Sequence, residues 1–245
     1  MSGNAGIIGA GNIGSAVASR LIAMGWQVVM ANSRGPASLS DHAHTLGIVP
    51  GTPEQAAQAP DLVLIAIPER AVAALPAHLF AATPAGALVL DAGNYYPGMR
   101  DGFIAAIDDG LPDSAWVAET IGRPVLKMFN TIHADRIAQG HRPAGSPERI
   151  CLPVAGDDPA AKIRAIALAD SIGFDAVDAG TLADSWRQQP GTSVYCKHLG
   201  FEDTRAALDE ARIEDAKSSR EEALERARAW QEAQAPVGRW RAPDR

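Results

Sequence analysis

Apolar residues along this chain come in short unbroken runs separated by alanine-rich stretches with wider spacing. Runs at 6–8, 27–31, 62–67, 87–90 and 125–129 have the length of strands, and the stretches between them space their apolar positions as helices do. The first run enters a glycine-rich turn and is followed by Ile13, Val17, Leu21 and Met24, a helical face that Gly25 closes. Residues 27–31, β-branched and apolar, then complete a βαβ unit of ordinary length whose crossover should be right-handed. Strands that are apolar throughout, rather than at every second position, are buried on both faces. The pattern therefore predicts an α/β fold, a Rossmann-type doubly wound parallel sheet with helices on both sides.

A second pattern starts near Cys151. Residues 152–156 read as a strand, Asp158 as an N-cap with Pro159 at the first helical position, a helix runs to about Ile172, and 173–178 reads as another strand. The Gly- and Pro-rich segment 140–147 sets the expected boundary between a dinucleotide-binding domain, 1–145, and a smaller C-terminal α/β region with a helical tail, 146–245. From 201 to 234 the sequence is rich in Ala, Glu and Arg, which favours one long or two shorter helices. Ile213, Ala216, Ala223, Ala227 and Trp230 make a thin apolar stripe there, suited to docking on the body or on a partner subunit. The mixed charges around it read as a solvated face.

Composition narrows the partners. With 245 residues and 47% hydrophobic content there is ample material for a packed core. A net charge of −7 argues against nucleic acid and against a membrane surface, both of which call for clustered positive charge, and leaves small molecules or other subunits. Cys151 and Cys196 lie far apart and outside any Cys/His ligand spacing, so free buried thiols and no metal site are expected. Residues 1–14 hold neither a basic segment nor an apolar run of signal or membrane-span length, and a cytoplasmic protein is expected.

Gly9-Ala10-Gly11-Asn12-Ile13-Gly14 fits GxGxxG between a strand and a helix. The first glycine turns tightly, the second lets backbone N–H groups approach a pyrophosphate, and the third allows close helix–strand packing, with the diphosphate at the positive helix end. After the second strand an NAD site places an acidic residue against the ribose 2′-hydroxyl; this chain has Asn32-Ser33-Arg34. Ser33 can donate a hydroxyl hydrogen bond and Arg34 a charge-assisted one to a 2′-phosphate, so NADP(H) is expected. By position at strand ends, Ile67 and Pro68 provide a rigid apolar wall for nicotinamide or ribose, and Asn94 a bond to ribose or carboxamide.

The turn GNIG (11–14), ANSRGP (31–36), VLKMFNTIHADRI (125–137), LPVAGDDPAAK (152–162) and GFDAVDAGTLADS (173–185) together resemble the deazaflavin (coenzyme F-420)-dependent NADP oxidoreductase family over about residues 5–190. The resemblance implies a homodimer and direct hydride exchange between NADP(H) and a deazaflavin bound against the nicotinamide. A similar module in membrane metalloreductases implies that a flavin, FAD or FMN, can take the deazaflavin's place. Carried over, Asn130, Thr131 and Ile132 would line the reaction centre. Past Ser185 the chain departs from the family, running through WRQQPGT (186–192) into the charged tail where archaeal members have an apolar helix that helps form the acceptor pocket.

Hydride transfer between two planar rings needs no protein nucleophile, only donor and acceptor carbons held about 3–3.5 Å apart in a dry stack. His133 is the one candidate general acid on its ordinary pKa, and a loop histidine is the bland alternative. Asp157 and Asp158, ahead of a helix, read as capping residues. Two rival functions remain open at this point: reduction of a small carbonyl or imine, with Lys127 or Lys197 as acid/base, and a non-catalytic sensor of NADPH.

Overall fold

The computed structural model describes residues 2–234. The first strand β1 (Asn4–Ile8) leads through the glycine turn into α1 (Asn12–Ala23), and β2 (Gln27–Ala31) returns beside β1. There follow α2 (Ser40–Leu46), β3 (Val49–Pro50), α3 (Pro53–Ala57), β4 (Leu62–Ile65), α4 (Glu69–Val72), β5 (Leu88–Asp91), α5 (Ala105–Asp108), α6 (Asp113–Ile121), β6 (Leu126–Lys127) and α7 (Ala134–Gln139). All six strands are parallel, in the order β3-β2-β1-β4-β5-β6. The order reverses between β1 and β4, and ligands of open α/β sheets bind in the crevice at such a switch point, outside the carboxyl ends of the strands.

Both faces of the sheet are buried, as the unbroken apolar runs require. Ile7, Leu62, Leu64, Leu88 and Leu90 pack with Val17 and Leu21 of α1 and Ile137 of α7 on one side. Ile8, Val63, Ile65 and Val89 pack with Ala56 and Ala57 of α3 and Val117 of α6 on the other. Gly6 is what lets α3 lie on β1, since a Cβ there would stand 1.7 Å from the carbonyl oxygen of Ala56.

The second pattern folds as β7 (Cys151–Val154), α8 (Pro159–Ser171) and β8 (Asp175–Asp178), with β7 and β8 parallel. Asp158 caps α8 as its position predicts, accepting from the N–H groups of Ala160 and Ala161. Asp157 accepts from the N–H of Leu182. The small sheet joins the large one where Lys127 and Ala155 exchange backbone hydrogen bonds.

Several strands are shorter than their apolar runs, each for a visible reason. The 62–67 run stops as a strand at Ile65, three residues before the proline that cannot donate to a ladder. The 125–129 run yields only Leu126 and Lys127, and by Phe129 the backbone has entered the left-handed region at φ 69°. The tail forms two helices, α9 (Phe201–Glu210) and α10 (Ala216–Gln234), joined through a 3-10 turn at Ile213–Asp215. Of the expected stripe, Ile213 is 64% exposed and Ala216 and Ala223 are half-buried. Thr204, Ala207 and Leu208 of α9 turn inward, as do Leu224 and Arg220 of α10, the Arg220 guanidinium lying 5.2 Å from the Tyr95 ring and 3.8 Å from Asp108. An arginine stem with its charge over an aromatic ring covers apolar surface as alanine cannot. The side chains of Ala227 and Trp230 lie outside the described residues. Both thiols are free, but only Cys151 is buried; Cys196 is half-exposed.

Candidate active site

The glycine turn has the tight bend and the close helix packing that its spacing predicts. Gly9 sits at φ 123°, and a Cβ on it would lie 2.2 Å from the carbonyl oxygen of Ala66. At Gly14 a Cβ would lie 2.0 Å from the carbonyl oxygen of Gly9, so helix and turn are in backbone contact. Gly11 has nothing within 4 Å of such an atom and faces open space. It is the N-cap of α1 and no side chain caps that end, leaving the first-turn N–H groups available to an anion. Beside it, Ile8 and Ala31 end β1 and β2 in register, and the Asn32 side chain accepts from the Arg34 N–H at 2.9 Å, turning the chain so that Ser33 and Arg34 stand exposed.

From this turn a cavity of about 950 Å³ runs along the strand ends. Gly11, Asn12, Ile13, Ile67, Pro68, Asn94, Asn130, Ile132 and His133 line it, which brings together residues that sequence reasoning took from four separate segments. Gly9, Ala10 and Gly14 lie behind the turn, Asn32, Ser33 and Arg34 beyond its β2 side, and Thr131 is buried with its carbonyl accepting from the Cys196 N–H. His133 is exposed at the start of α7, its ring edge-on to that of His198 at 4.9 Å. Burial, with His133 and Arg136 nearby, pushes His198 below the usual histidine range.

Asn94 lines the cavity and is also held from the side by Asn130. Its side chain donates to the Asn130 carbonyl and accepts from the Asn130 side chain, both at 3.0 Å, and Asn130 also donates to the carbonyl of Gln188. Gln188 returns a bond to the Asn130 side chain at 3.1 Å. This amide lattice ties β5, the β6–α7 connection and the 182–188 helical turn together beneath the cleft, a positioning role that lone residue types could not reveal.

Beneath it lies a buried ionic cluster. Lys127 is fully buried, and its ammonium donates to Asp113 at 2.6 Å, Ser114 at 2.9 Å and the Gly93 carbonyl at 3.2 Å. Ser114 in turn donates to Asp91 at 2.6 Å. Burial alone would lower the Lys127 pKa, but Asp113 and Asp91 outweigh it and hold the ammonium charged. Burial and the neighbouring Asp113 and Asp91 push the Glu69 carboxyl well above the usual range. One Glu69 oxygen accepts from Arg100 at 2.7 Å, and the other has no partner among the described residues. Lys127 is thus a structural cation and not the free acid/base that the carbonyl or imine reading asked of it.

Among the lining residues that sequence reasoning did not assign a role are Tyr96, Arg100, Tyr195 and Cys196. The Arg100 guanidinium lies 4.9 Å over the Tyr96 ring, and the phenol oxygens of Tyr96 and Tyr195 are hydrogen-bonded to each other. The Tyr95-Tyr96 pair next to Asn94 was a signal of sorts; residues 195–196 gave none, being 99 positions from Tyr96 along the chain.

Residues 4–95 match the family model described as NADP oxidoreductase, coenzyme F420-dependent. A hypothetical protein from Sinorhizobium meliloti is 32% identical, with 82% of this chain and 96% of that one aligned at a TM-score of 0.68. A structure from Arthrobacter sp. FB24, named for F420-dependent NADP reduction, is 22% identical over 74% of this chain and 86% of that one, at a TM-score of 0.56, and speaks for the fold. The Escherichia coli (strain K12) protein YjhV is 50% identical over 74 residues, which are 30% of this chain and 47% of that one, so this chain spans about half the length of that relative. Among the described residues no helix is long and apolar enough to cross a membrane.

Proposed function

We propose, from the match of residues 4–95 to the coenzyme F420-dependent NADP oxidoreductase family, that this chain passes a hydride between NADP(H) and the planar ring of a deazaflavin or flavin. It is an NADP-dependent oxidoreductase whose acceptor we assign to the far half of the cleft, where Tyr96, Asn130, Ile132 and Tyr195 face the cavity. The observation that carries this reading is the continuity of one cavity from Gly11 past Pro68 to Tyr195. At about 950 Å³ it stands at the upper end of small-molecule pockets, roughly 300–1,000 Å³, large enough to hold more than a lone nicotinamide. Ser33 and Arg34 would hold the 2′-phosphate, the α1 N-terminus the pyrophosphate, and Ile67 and Pro68 the nicotinamide face. NADP supplies the hydride; the protein clamps, orients and excludes water.

We read 1–145 as the dinucleotide-binding part, 146–245 as the part that completes the acceptor side, and the working unit as a homodimer. The test is anaerobic oxidation of NADPH with coenzyme F-420, FAD, FMN, a ketone and a cyclic imine offered in turn. Turnover with the ring acceptors is expected. Turnover with the ketone or imine alone would replace the reading with a small-substrate reductase, and binding of NADPH without turnover would make the chain a sensor.

A further inference from the structure

The acceptor half of the cleft carries three neutral hydrogen donors that the clamp described so far does not use. The phenols of Tyr96 and Tyr195 are hydrogen-bonded to each other, and Cys196 follows Tyr195 along the chain. All three residues line the cavity. Burial raises each of them above its ordinary range, so all three keep their protons at neutral pH. Two phenols bring two protons to one mutual hydrogen bond. One donor is therefore left over, and among the described residues neither phenol has a further hydrogen-bond acceptor. Water or a ligand in the cleft must take that bond.

The pair is held where it stands. The Cys196 N–H is anchored on the Thr131 carbonyl at 2.9 Å, within the segment facing the nicotinamide side, and Tyr96 is pinned by its own N–H on Asp101 at 2.9 Å and by Arg100 over its ring. Arg100 is itself fixed by Glu69 and Asp101. Such a preorganised donor costs little reorganisation when charge develops in front of it.

We propose that the Tyr96–Tyr195 phenol pair donates its spare hydrogen bond to a carbonyl oxygen or ring nitrogen of the hydride acceptor, stabilising the anion that hydride arrival creates. The inference rests on the acceptor assignment above. In the step, the C4–H bond of the dihydronicotinamide breaks with its electron pair, a C–H or N–H bond forms on the acceptor ring, and NADP⁺ and the anionic reduced ring result. That anion takes a proton from water, and the phenols keep theirs. The acceptor must therefore present a heteroatom conjugated to the hydride-accepting atom, as flavins and deazaflavins do and a plain aromatic ring does not.

The experiment compares wild type with Tyr195→Phe, Tyr96→Phe and the double variant, each first shown to bind NADPH with unchanged Kd. Hydride transfer to coenzyme F-420 and FMN is timed anaerobically, and the absorption bands of the oxidised ring are recorded in the ternary complex with NADP⁺. At least one single variant is expected to slow transfer roughly a hundredfold, the range seen when one oxyanion donor is removed, and to abolish the hydrogen-bond shift of the bound ring's spectrum. The double variant should be no slower than the worse single. Unchanged rate and spectrum in all three, with wild type active on the rings, would overturn the inference and leave the acceptor assignment standing. Loss of rate in the variants with only a ketone or imine as substrate would do the reverse, and a wild type inert to every acceptor would contradict both.

Discussion

The two halves of the cleft are built on opposite plans. The dinucleotide half is made from backbone: glycines at 9, 11 and 14, the open end of α1 and a turn after β2 that holds two exposed side chains out. The half we assign to the acceptor is made from side chains that arrive from residues 94–100, 127–133 and 188–196 and are locked by amide and ionic contacts below the floor. A backbone site recognises what every dinucleotide shares, a diphosphate. A side-chain site can be changed residue by residue, which suits the half that selects the acceptor.

If that contrast is right, the largest single effect lies under the acceptor half. Lys127→Met leaves Asp113 and Asp91 buried without their cation and should cost about 3–5 kcal/mol of stability, read by urea unfolding. A loss below 1 kcal/mol would mean that the cluster is not the acceptor half's anchor. Next comes the dinucleotide half, where two glycines should part company. Gly14→Ala drives a Cβ into the Gly9 carbonyl and should destabilise the fold by about 1–3 kcal/mol, whereas Gly11→Ala has room in the empty protein and should melt like wild type while losing NADPH affinity in calorimetry. Equal melting of the two variants would break the division of roles.

A smaller effect is expected at the exposed pair. Arg34→Ala should reduce the preference for NADPH over NADH by roughly tenfold or more, the worth of one charge-assisted bond, without altering stability. An unchanged ratio of dissociation constants would remove the 2′-phosphate assignment. The smallest effect is a pH slope outside the cleft. Burial pushes the Cys151 thiol up to about 12, from an unfolded value near 9. Because the folded pKa is the higher, the stability this thiol contributes is complete below pH 9 and is lost as pH rises from 9 towards 12, by about 1.4 kcal/mol per pH unit at most. Cys151→Ala should flatten that part of the slope in denaturation series taken at pH 8, 9 and 10.

What sequence could show follows the same contrast. The βαβ unit, the two-faced burial of the sheet and the capping of α8 by Asp158 come from local rules of period, turn and cap, and were legible in residue order. The glycine roles were legible for the same reason. The two-residue strand β3, the helices α5 and α6 and the shortening of β6 were not, because their apolar signals are brief and tertiary contacts decide them. Asn94 was placed in the right crevice, and only the fold shows that its amide also bonds Asn130. Tyr195 and Cys196 reach the cleft through a connection that carries no motif, so nothing in their neighbours along the chain pointed to them. The part played by Arg220 on α10 was not legible, because an apolar stripe does not show where an arginine lays its charge over an aromatic ring.

The central claim, direct hydride passage across this cleft to a planar ring, is tested most directly by isotope. NADPH deuterated at the transferred position of C4 is mixed anaerobically with the protein and coenzyme F-420, whose hydride-accepting atom is a carbon and keeps what it receives. The account predicts one deuterium per molecule of reduced deazaflavin by mass spectrometry, in light water. Reduced deazaflavin without the label, or label appearing only in a carbonyl or imine substrate, would contradict it.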